Sequence, residues 1–359
     1  MVQSGSTSFN PSPVAARNKL IRWYRRYGRH DLPWRRTADP YAVFVSELML
    51  QQTTVATVIP YYKKFLKKFP NFRRLGMAPL EKVMELWSGL GYYARARHLH
   101  AAARTVIRDF GGVFPTAKDD VLALPGVGRY TAGAILSFAF NRPEAVLDGN
   151  VIRVLCRIYG IQEDPSRGVV RERLWTIAQK MVPQSGGREI NSALMDFGAT
   201  LCTRSDPSCV LCPLQVDCVA LQEGRVEQLP ESKPGKPLPE RRTMMLVLHD
   251  LEGRVLLARR PASGVWSGMW SLPEVADHDA ARDFVQRHAD VDFELNTPLA
   301  LIEHTFSHYR LHIAPLLWQA ARASDRIADA DQLRWQPLAS LHEVGLPAPV
   351  KKLLAGLAG

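Results

Sequence analysis

Apolar positions recur at helical spacing through the first two thirds of the chain and at strand spacing through the last third. Residues Ala15 to Tyr27 predict an amphipathic helix with Leu20, Ile21, Trp23 and Tyr24 on its apolar side. A second helix carries Phe44, Ser46, Glu47, Leu48, Leu50, Gln51, Gln52 and Thr53, with Phe44, Glu47, Leu48 and Gln51 on one stripe. Tyr61 to Phe69 places Lys63, Lys64, Lys67 and Lys68 on a charged face, most simply a solvated one. Lys118 to Leu124 and Arg129 to Phe140 read as a short and a longer helix, and Val151, Ile152, Val154, Leu155 and Ile158 mark another. Glu227 to Arg242 holds Pro230, Pro234, Pro237 and Pro239, which makes a semi-rigid linker. Beyond it the period changes. Thr243 to His249 and Val255 to Arg259 read as strands around an Asp250–Gly253 hairpin turn, then come a Trp-rich loop over 264–274, a helix from His278 to Ala289 and a strand region from Glu303 to Leu317.

Length and composition fit this division. A chain of 359 residues with 46% hydrophobic content supports one to three cored domains. No stretch approaches the roughly 18 apolar residues of a membrane span. The first 13 residues are rich in Ser, Pro and Asn without an apolar run, so they read as a loose tail and not as a signal peptide. The net charge of +11 is uneven: residues 1–230 hold 31 Lys and Arg against 19 Asp and Glu, while the remainder is near neutral. The helical part is therefore the candidate polyanion binder, although charge alone equally fits a soluble surface.

The two predicted helices at 118–124 and 129–140 are joined by Leu124-Pro125-Gly126-Val127-Gly128-Arg129-Tyr130. Glycine accepts positive φ, and a turn so poor in side chains leaves backbone N–H groups open to a phosphate oxygen at a helix start. Gly89-Leu90-Gly91-Tyr92-Tyr93, about 37 residues earlier, repeats the pattern beside Arg95 and Arg97, and aromatics with arginines suit stacking and phosphate contact. Asp31-Leu32-Pro33-Trp34-Arg35-Arg36 could meet nucleic acid or simply pack and solvate. Glu47 lies on a mainly apolar stripe, where burial would raise its pKa towards the range of a general acid. A buried Glu bonded to a neighbouring helix terminus is the plainer account, and this segment alone favours it. Asp148, in Leu147-Asp148-Gly149-Asn150-Val151, is either the N-cap of the next helix or a carboxylate facing a developing cation; the two roles compete on sequence alone.

The cysteines are the most specific feature. Cys156 stands alone on an apolar-periodic helix and reads as core. Cys202-x6-Cys209-x2-Cys212-x5-Cys218 puts four thiols within 17 residues, a spacing that suits zinc or an iron–sulfur cluster in a reducing compartment. A zinc ribbon would show two Cys-x2-Cys knuckles and only one is present, so a [4Fe–4S] cluster fits better, with a role in stiffening a basic loop.

Taken in order, Leu-Pro-Trp-Arg, Ser-Glu-Leu-Met-Leu-Gln-Gln-Thr, Gly-Leu-Gly-Tyr-Tyr-Ala-Arg-Ala, Leu-Pro-Gly-Val-Gly-Arg-Tyr-Thr-Ala, Leu-Asp-Gly-Asn-Val and the cysteine quartet resemble the MutY-type adenine DNA glycosylases. That family belongs to the helix–hairpin–helix superfamily that includes endonuclease III. The resemblance runs from about residue 15 to the end. It implies an α plus α/β protein: a loose tail over 1–14, an all-helical glycosylase domain over 15–228 with its [4Fe–4S] loop at 202–218, a linker over 229–242, and a Nudix-like α/β domain over 243–359 that reads 8-oxoguanine. The Trp-rich loop is not followed by a Glu-rich Nudix helix, which argues against pyrophosphatase activity. The implied reaction is removal of adenine mispaired with 8-oxoguanine or guanine in double-stranded DNA, by a monomer working in the bacterial cytoplasm with no membrane partner. By the same resemblance Glu47 is the general acid, Asp148 stabilises the cationic sugar with Asn150 beside it, and Tyr130 is the active-site tyrosine. Gln52 and Tyr92 insert into the duplex, Trp34 and Arg35 line the adenine pocket, Gly126 and Gly128 carry the phosphate-binding hairpin, and Phe306, Ser307 and His308 read 8-oxoguanine.

Two other classes remain open on the sequence. An endonuclease III-like lyase would also carry the cluster and a hairpin, but it needs a Lys for a Schiff base where this chain has Tyr130. A non-catalytic DNA-binding scaffold would not need both Glu47 and Asp148.

Overall fold

The computed structural model describes residues 11–231, 237–261, 264–290, 296–306, 308–320, 322–323 and 332–357. Two compact units emerge, one from residues up to Met77 together with His98–Pro234, the other from Ala78–Arg97 together with the chain from 235 onwards. The second grouping is one that chain order does not reveal. Within it, Arg97 Nη1 donates to the Ser267 carbonyl at 2.7 Å and Arg259 pairs with Glu81 at 3.3 Å.

The described helices are α1 Pro13–Tyr27, α2 Pro40–Leu50, α3 Val55–Lys68, α4 Phe72–Gly76, α5 Leu80–Trp87, α6 Ala94–Phe110, α7 Lys118–Leu122, α8 Arg129–Phe140, α9 Gly149–Ile158, α10 Gly168–Met181, α11 Arg188–Thr200 and α12 Val219–Gln222. Helix α2 is buried from Tyr41 to Met49 on every side, where the sequence pattern predicted a single stripe. A helix apolar all round is a central one, and α2 packs chiefly on α8 and α3. It ends at Leu50, earlier than expected. Thr54 caps α3 by accepting from the Thr57 N–H, and Gln52 turns the chain between the helices at φ 56°. Lys63, Lys64, Lys67 and Lys68 are exposed, as the charged face predicts.

Close approach fixes how α8 sits. A Cβ on Gly133 would stand 2.4 Å from the Ala145 carbonyl oxygen, so only glycine lets the 145–148 segment lie against this helix. Of the two hairpin glycines, Gly126 has φ 77° and a Cβ there would meet the His98 Cβ at 2.5 Å, whereas Gly128 has ordinary extended backbone. The conformational demand is thus on Gly126 alone.

In the second unit the linker gives way to β1 at Glu240, three residues before the predicted strand, because Glu240 already pairs with Arg310. The strands are β1 Glu240–Asp250, β2 Arg254–Arg259, β3 Trp270–Ser271, β4 Glu274–Val275, β5 Ala289–Asp290, β6 Asn296–Pro298, β7 Ile302–Thr305, β8 Arg310–Ala320, β9 Arg322–Ala323 and β10 Leu333–Pro337, with helices α13 His278–His288 and α14 Ala348–Leu357. Among the described residues the main sheet runs β10-β2-β1-β8-β6, with β3 paired to β2, β4 to β1 and β7 to β8. Strands β1 and β8 are parallel and their other partners antiparallel, so the sheet is mixed. Leu246, Leu248, Leu256, Leu316 and Trp318 pack under α13 through Ala281 and Val285. Buried Asp250 closes the β1–β2 hairpin by accepting from the Glu252 and Arg254 N–H groups at 3.0 and 2.7 Å. The expected strand from Glu303 to Leu317 is a hairpin, β7 and β8. The Phe306 N–H bonds the Tyr309 carbonyl at 2.8 Å across a turn that has no Gly or Pro to announce it.

Gly133→Ala tests the α8 contact: it is expected to lower unfolding free energy by about 1–3 kcal/mol, the usual cost of overpacking. Chemical denaturation reads it, and unchanged stability would mean that α8 moves away freely.

Candidate active site

Helix α2 brings one carboxyl into the centre of the first unit. Glu47 is 4% exposed and accepts a 2.8 Å hydrogen bond from the Tyr130 hydroxyl at the start of α8. Burial is the largest influence on it and raises its pKa to about 7; the Tyr130 hydrogen bond and the Arg35 charge oppose the rise, and the nearby Asp148 charge adds to it. Burial, with the neighbouring carboxylates, holds the Tyr130 hydroxyl well above its ordinary range, so it stays a donor. Near neutral pH, Glu47 is therefore poised to hold or release a proton.

Asp148 is the second carboxyl. It caps α9, accepting from the Val151 N–H at 2.8 Å and from Asn150 Nδ2 at 3.0 Å. Burial raises its pKa and these donors pull it back. The cap orients the carboxyl, and its donors favour the charged form that burial disfavours. Asn150 is held in turn by Arg153 Nη2 at 2.8 Å, and Arg153 Nε reaches the Cys202 carbonyl at 2.9 Å.

Glu47 opens on a cavity of about 550 Å³ whose wall includes Trp34, Arg35, Ser46, Phe138 and Ser192. Trp34 packs edge-on to Tyr62 with ring centroids 5.4 Å apart. Arg35 donates to Ser192 Oγ and lies 4.9 Å over the Phe138 ring. Asp196, fully buried, carries it: Arg35 Nη2 is 3.6 Å away, and Arg29 adds contacts of 2.7 to 3.0 Å from its side chain and backbone N–H. Ser192, Asp196 and Arg29 were not foreseen, since residues more than 150 positions apart share no local pattern.

Gln52 and Tyr92 are exposed turn residues, each at positive φ in its own unit. Arg95 props the Tyr92 turn, donating to the Leu90, Gly91 and Tyr92 carbonyls at 3.1 to 3.4 Å. Phe306 is half-buried, 5.4 Å from the Trp266 ring and 4.8 Å from Tyr309, with His308 exposed beside them. Ser307 lies outside the described residues.

Cys202, Cys209, Cys212 and Cys218 line one small space in the first unit. Among the described residues no His, Cys, Asp and Glu side chains form a ready ligand set for a single metal ion. The thiols nevertheless sense one another: burial first, then Cys202, Cys218 and Cys209, push Cys212 to about 12. Arg157 Nη1 donates to Cys202 Sγ at 3.4 Å and the Leu214 N–H to Cys212 Sγ at 3.3 Å. Donors aimed at sulfur fit an electron-rich thiolate centre. Cys156 is apart and fully buried.

The sequence carries two recognisable domains. Residues 45–180 match the HhH-GPD superfamily base excision DNA repair proteins, and residues 243–356 match the NUDIX domain. The adenine DNA glycosylase of Buchnera aphidicola (subsp. Acyrthosiphon pisum) is 35% identical over 337 residues, 93% of this chain and 95% of that one. The Homo sapiens adenine DNA glycosylase is 39% identical across 83% of this chain and 66% of its own. Among solved structures, a thermostable thymine-DNA glycosylase superposes with TM-score 0.54 at 31% identity, covering 59% of this chain and 98% of its own. With a helical repair domain, a mixed-sheet NUDIX domain and the Buchnera relative matched nearly end to end, the chain belongs to the adenine DNA glycosylase family.

Proposed function

We propose that this protein hydrolyses the N-glycosidic bond of adenine mispaired with 8-oxoguanine or guanine in double-stranded DNA, as a monofunctional enzyme. The observation that carries the reading is the buried Glu47 carboxyl, bonded by Tyr130 in the wall of a cavity, with its pKa near 7. The adenine is flipped from the duplex at a cost of a few kcal/mol. Protonated Glu47 gives its proton to adenine N7 as the C1′–N9 bond breaks, and its electron pair leaves with a neutral base. Ionised Asp148 stabilises the cationic sugar. Water adds at C1′, and the proton it loses restores the acid. Tyr130 occupies the position where a lyase would need Lys, so no Schiff base forms. The Gly126 turn takes phosphate, and Gln52 and Tyr92 enter the duplex. Partner, base pair and site roles here rest on the family and on the chemistry of these groups; the protein is read as a monomer acting on chromosomal DNA in the cytoplasm. Among the described residues no helix is long and apolar enough to cross a membrane.

The four cysteines would hold a [4Fe–4S] cluster, which supplies cross-links for the loop from Cys202 to Cys218 when bound. Arg157, 1% exposed, braces that loop by donating to the Thr203 and Arg204 carbonyls at 2.6 and 3.1 Å.

Glu47→Gln and Asp148→Asn are each expected to stop adenine release while duplex binding survives. The loss for the acid alone is about 10²–10⁴-fold. Single-turnover rates should fall above pH 7 as Glu47 loses its proton, and fall again in acid as Asp148, whose pKa burial also raises, gains one. Wild-type excision by the Glu47→Gln protein would sink the assignment. The same raised pKa has a stability consequence. Neutral Glu47 favours folding fully below its ordinary value of 4.5, and that contribution is lost as pH rises towards about 7. The Glu47→Gln protein should therefore be the more stable of the two at pH 8 and not at pH 4, by denaturant titration.

Purified protein should be brown, with iron and acid-labile sulfide in near-equal amounts, and Cys156→Ser should leave both unchanged. Colourless protein holding stoichiometric zinc would count against the cluster.

Adenine is a normal base, so the damage must be read on the opposite strand. 8-Oxoguanine offers an N7–H donor where guanine has an acceptor, and one hydrogen bond is worth about 0.5–1.5 kcal/mol. Ser307→Ala combined with His308→Ala is expected to lose preference for A:8-oxoguanine over A:G with adenine release near wild type. Equal selection of damaged sites among excess undamaged duplex would place the reader elsewhere. Point variants suit this test better than removal of residues 231–359, which would strip Ala78–Arg97 of the residues it packs with.

A further inference from the structure

The cavity at Glu47 is larger than its task requires. A volume of about 550 Å³ is in the range that takes a drug-sized ligand, and adenine is a single fused ring pair. Tyr130, bonded to Glu47, begins α8, and the part of that helix that lines the cavity is its far end, Phe138 to Phe140 with the C-terminal cap Asn141. The inner wall is buried at Val43, Ser46 and Phe138, whereas His30 and Asn141 at the far end are exposed. The cavity therefore opens at the end of α8 opposite to the Gly126 hairpin and Tyr130.

The wall is also polar in a way the mechanism does not use. Arg35 Nε and Arg188 Nε are buried with no hydrogen-bond partner among the described residues, and both side chains line the cavity. Buried guanidinium N–H groups without an acceptor are costly. The ring nitrogens of a free purine are acceptors, and the two arginines would meet them in succession between Glu47 and the far opening.

We propose that this cavity is an exit passage for the excised base: adenine leaves past Arg188 through the opening at His30 and Asn141 while the abasic duplex is still bound. The inference rests on the glycosylase reading above. Once the C1′–N9 bond is broken, the sugar still lies between the base and the duplex side, and the way back is closed. The cavity ahead is open.

The test separates bond cleavage from base departure. The full-length protein, in excess, is mixed with an A:8-oxoguanine duplex labelled in the adenine. A denaturing quench reads cleavage; a native filter that retains protein and duplex reads free adenine. Adenine is expected to pass the filter at the cleavage rate, ahead of the duplex. Retention until the duplex dissociates would overturn the passage. His30→Trp at the opening and Met195→Trp in the wall should leave cleavage unchanged and delay departure by about tenfold or more, a barrier increase of about 1.4 kcal/mol. Parental departure from both variants with cleavage intact would also overturn it. Absence of cleavage in the parent chain would overturn the glycosylase reading and the passage together, and the quench distinguishes that case from the others.

Discussion

The constraint on which the site depends is a carboxyl group inside a helix that is apolar on every side. Helix α2 buries Tyr41 to Met49, and an ionised group there would cost several kcal/mol without compensation. Two neighbours moderate that cost and a third adds to it. Tyr130 donates a hydrogen bond, Arg35 brings a positive charge, and Asp148 brings a negative one. Arg35 cannot be considered alone, since it shares the fully buried Asp196 with Arg29. Two arginines on one carboxylate leave a surplus positive charge on the Glu47 side. A surplus of that sign holds the Glu47 pKa near 7; burial without it would push it further.

The second carboxyl is held by the opposite strategy, through fixed backbone geometry. Asp148 takes the first free N–H groups of α9, so its position is set by the helix that follows. The segment that delivers it lies against α8 because Gly133 has no Cβ. On its other side α9 is stitched to the cysteine loop: Arg153 reaches the Cys202 carbonyl, and Arg157 reaches the carbonyls of Thr203, Arg204 and Leu229. A loop whose regular structure is two short 3-10 turns is thereby given donors for its carbonyls, as buried backbone requires.

What was legible in the sequence was what local pattern encodes. The helical and strand-rich parts and the buried Cys156 follow from periodicity and composition. The quartet of cysteines follows from spacing. Glu47 could be singled out because a charged residue on an apolar stripe is anomalous wherever it falls. The uniform burial of α2 was not legible, because an apolar run interrupted by Ser46 and Glu47 still resembles a stripe. The partners Ser192 and Asp196 were invisible, as was the grouping of Ala78–Arg97 with the strand-rich unit, since both are tertiary facts. The turn at 306–309 was hidden for a local reason: Phe306 and His308 carry no turn signal, and the geometry is imposed by β7–β8 pairing and by rings packed around Phe306.

Backbone conformation supplies evidence about function that is independent of charge. Among the described residues five other than glycine have positive φ: Gln52, Tyr92, Asn141, Asp206 and Trp266. Asn and Asp visit this region at little cost, and Asn141 is an ordinary helix cap. Gln52, Tyr92 and Trp266 have no such excuse, and each costs on the order of 1–3 kcal/mol that packing must offset. The means of offsetting it are visible at two of them. Arg95 satisfies three carbonyls around the Tyr92 turn and lies 5.2 Å over the tyrosine ring. Trp266 is buried against His304 and Phe306 at 5.7 and 5.4 Å. Strain that is held in place by this much local structure does not relax when a ligand is absent. The Tyr92 and Trp266 turns therefore hold their shape without a ligand, and a partner that met them would not spend binding energy on forming them.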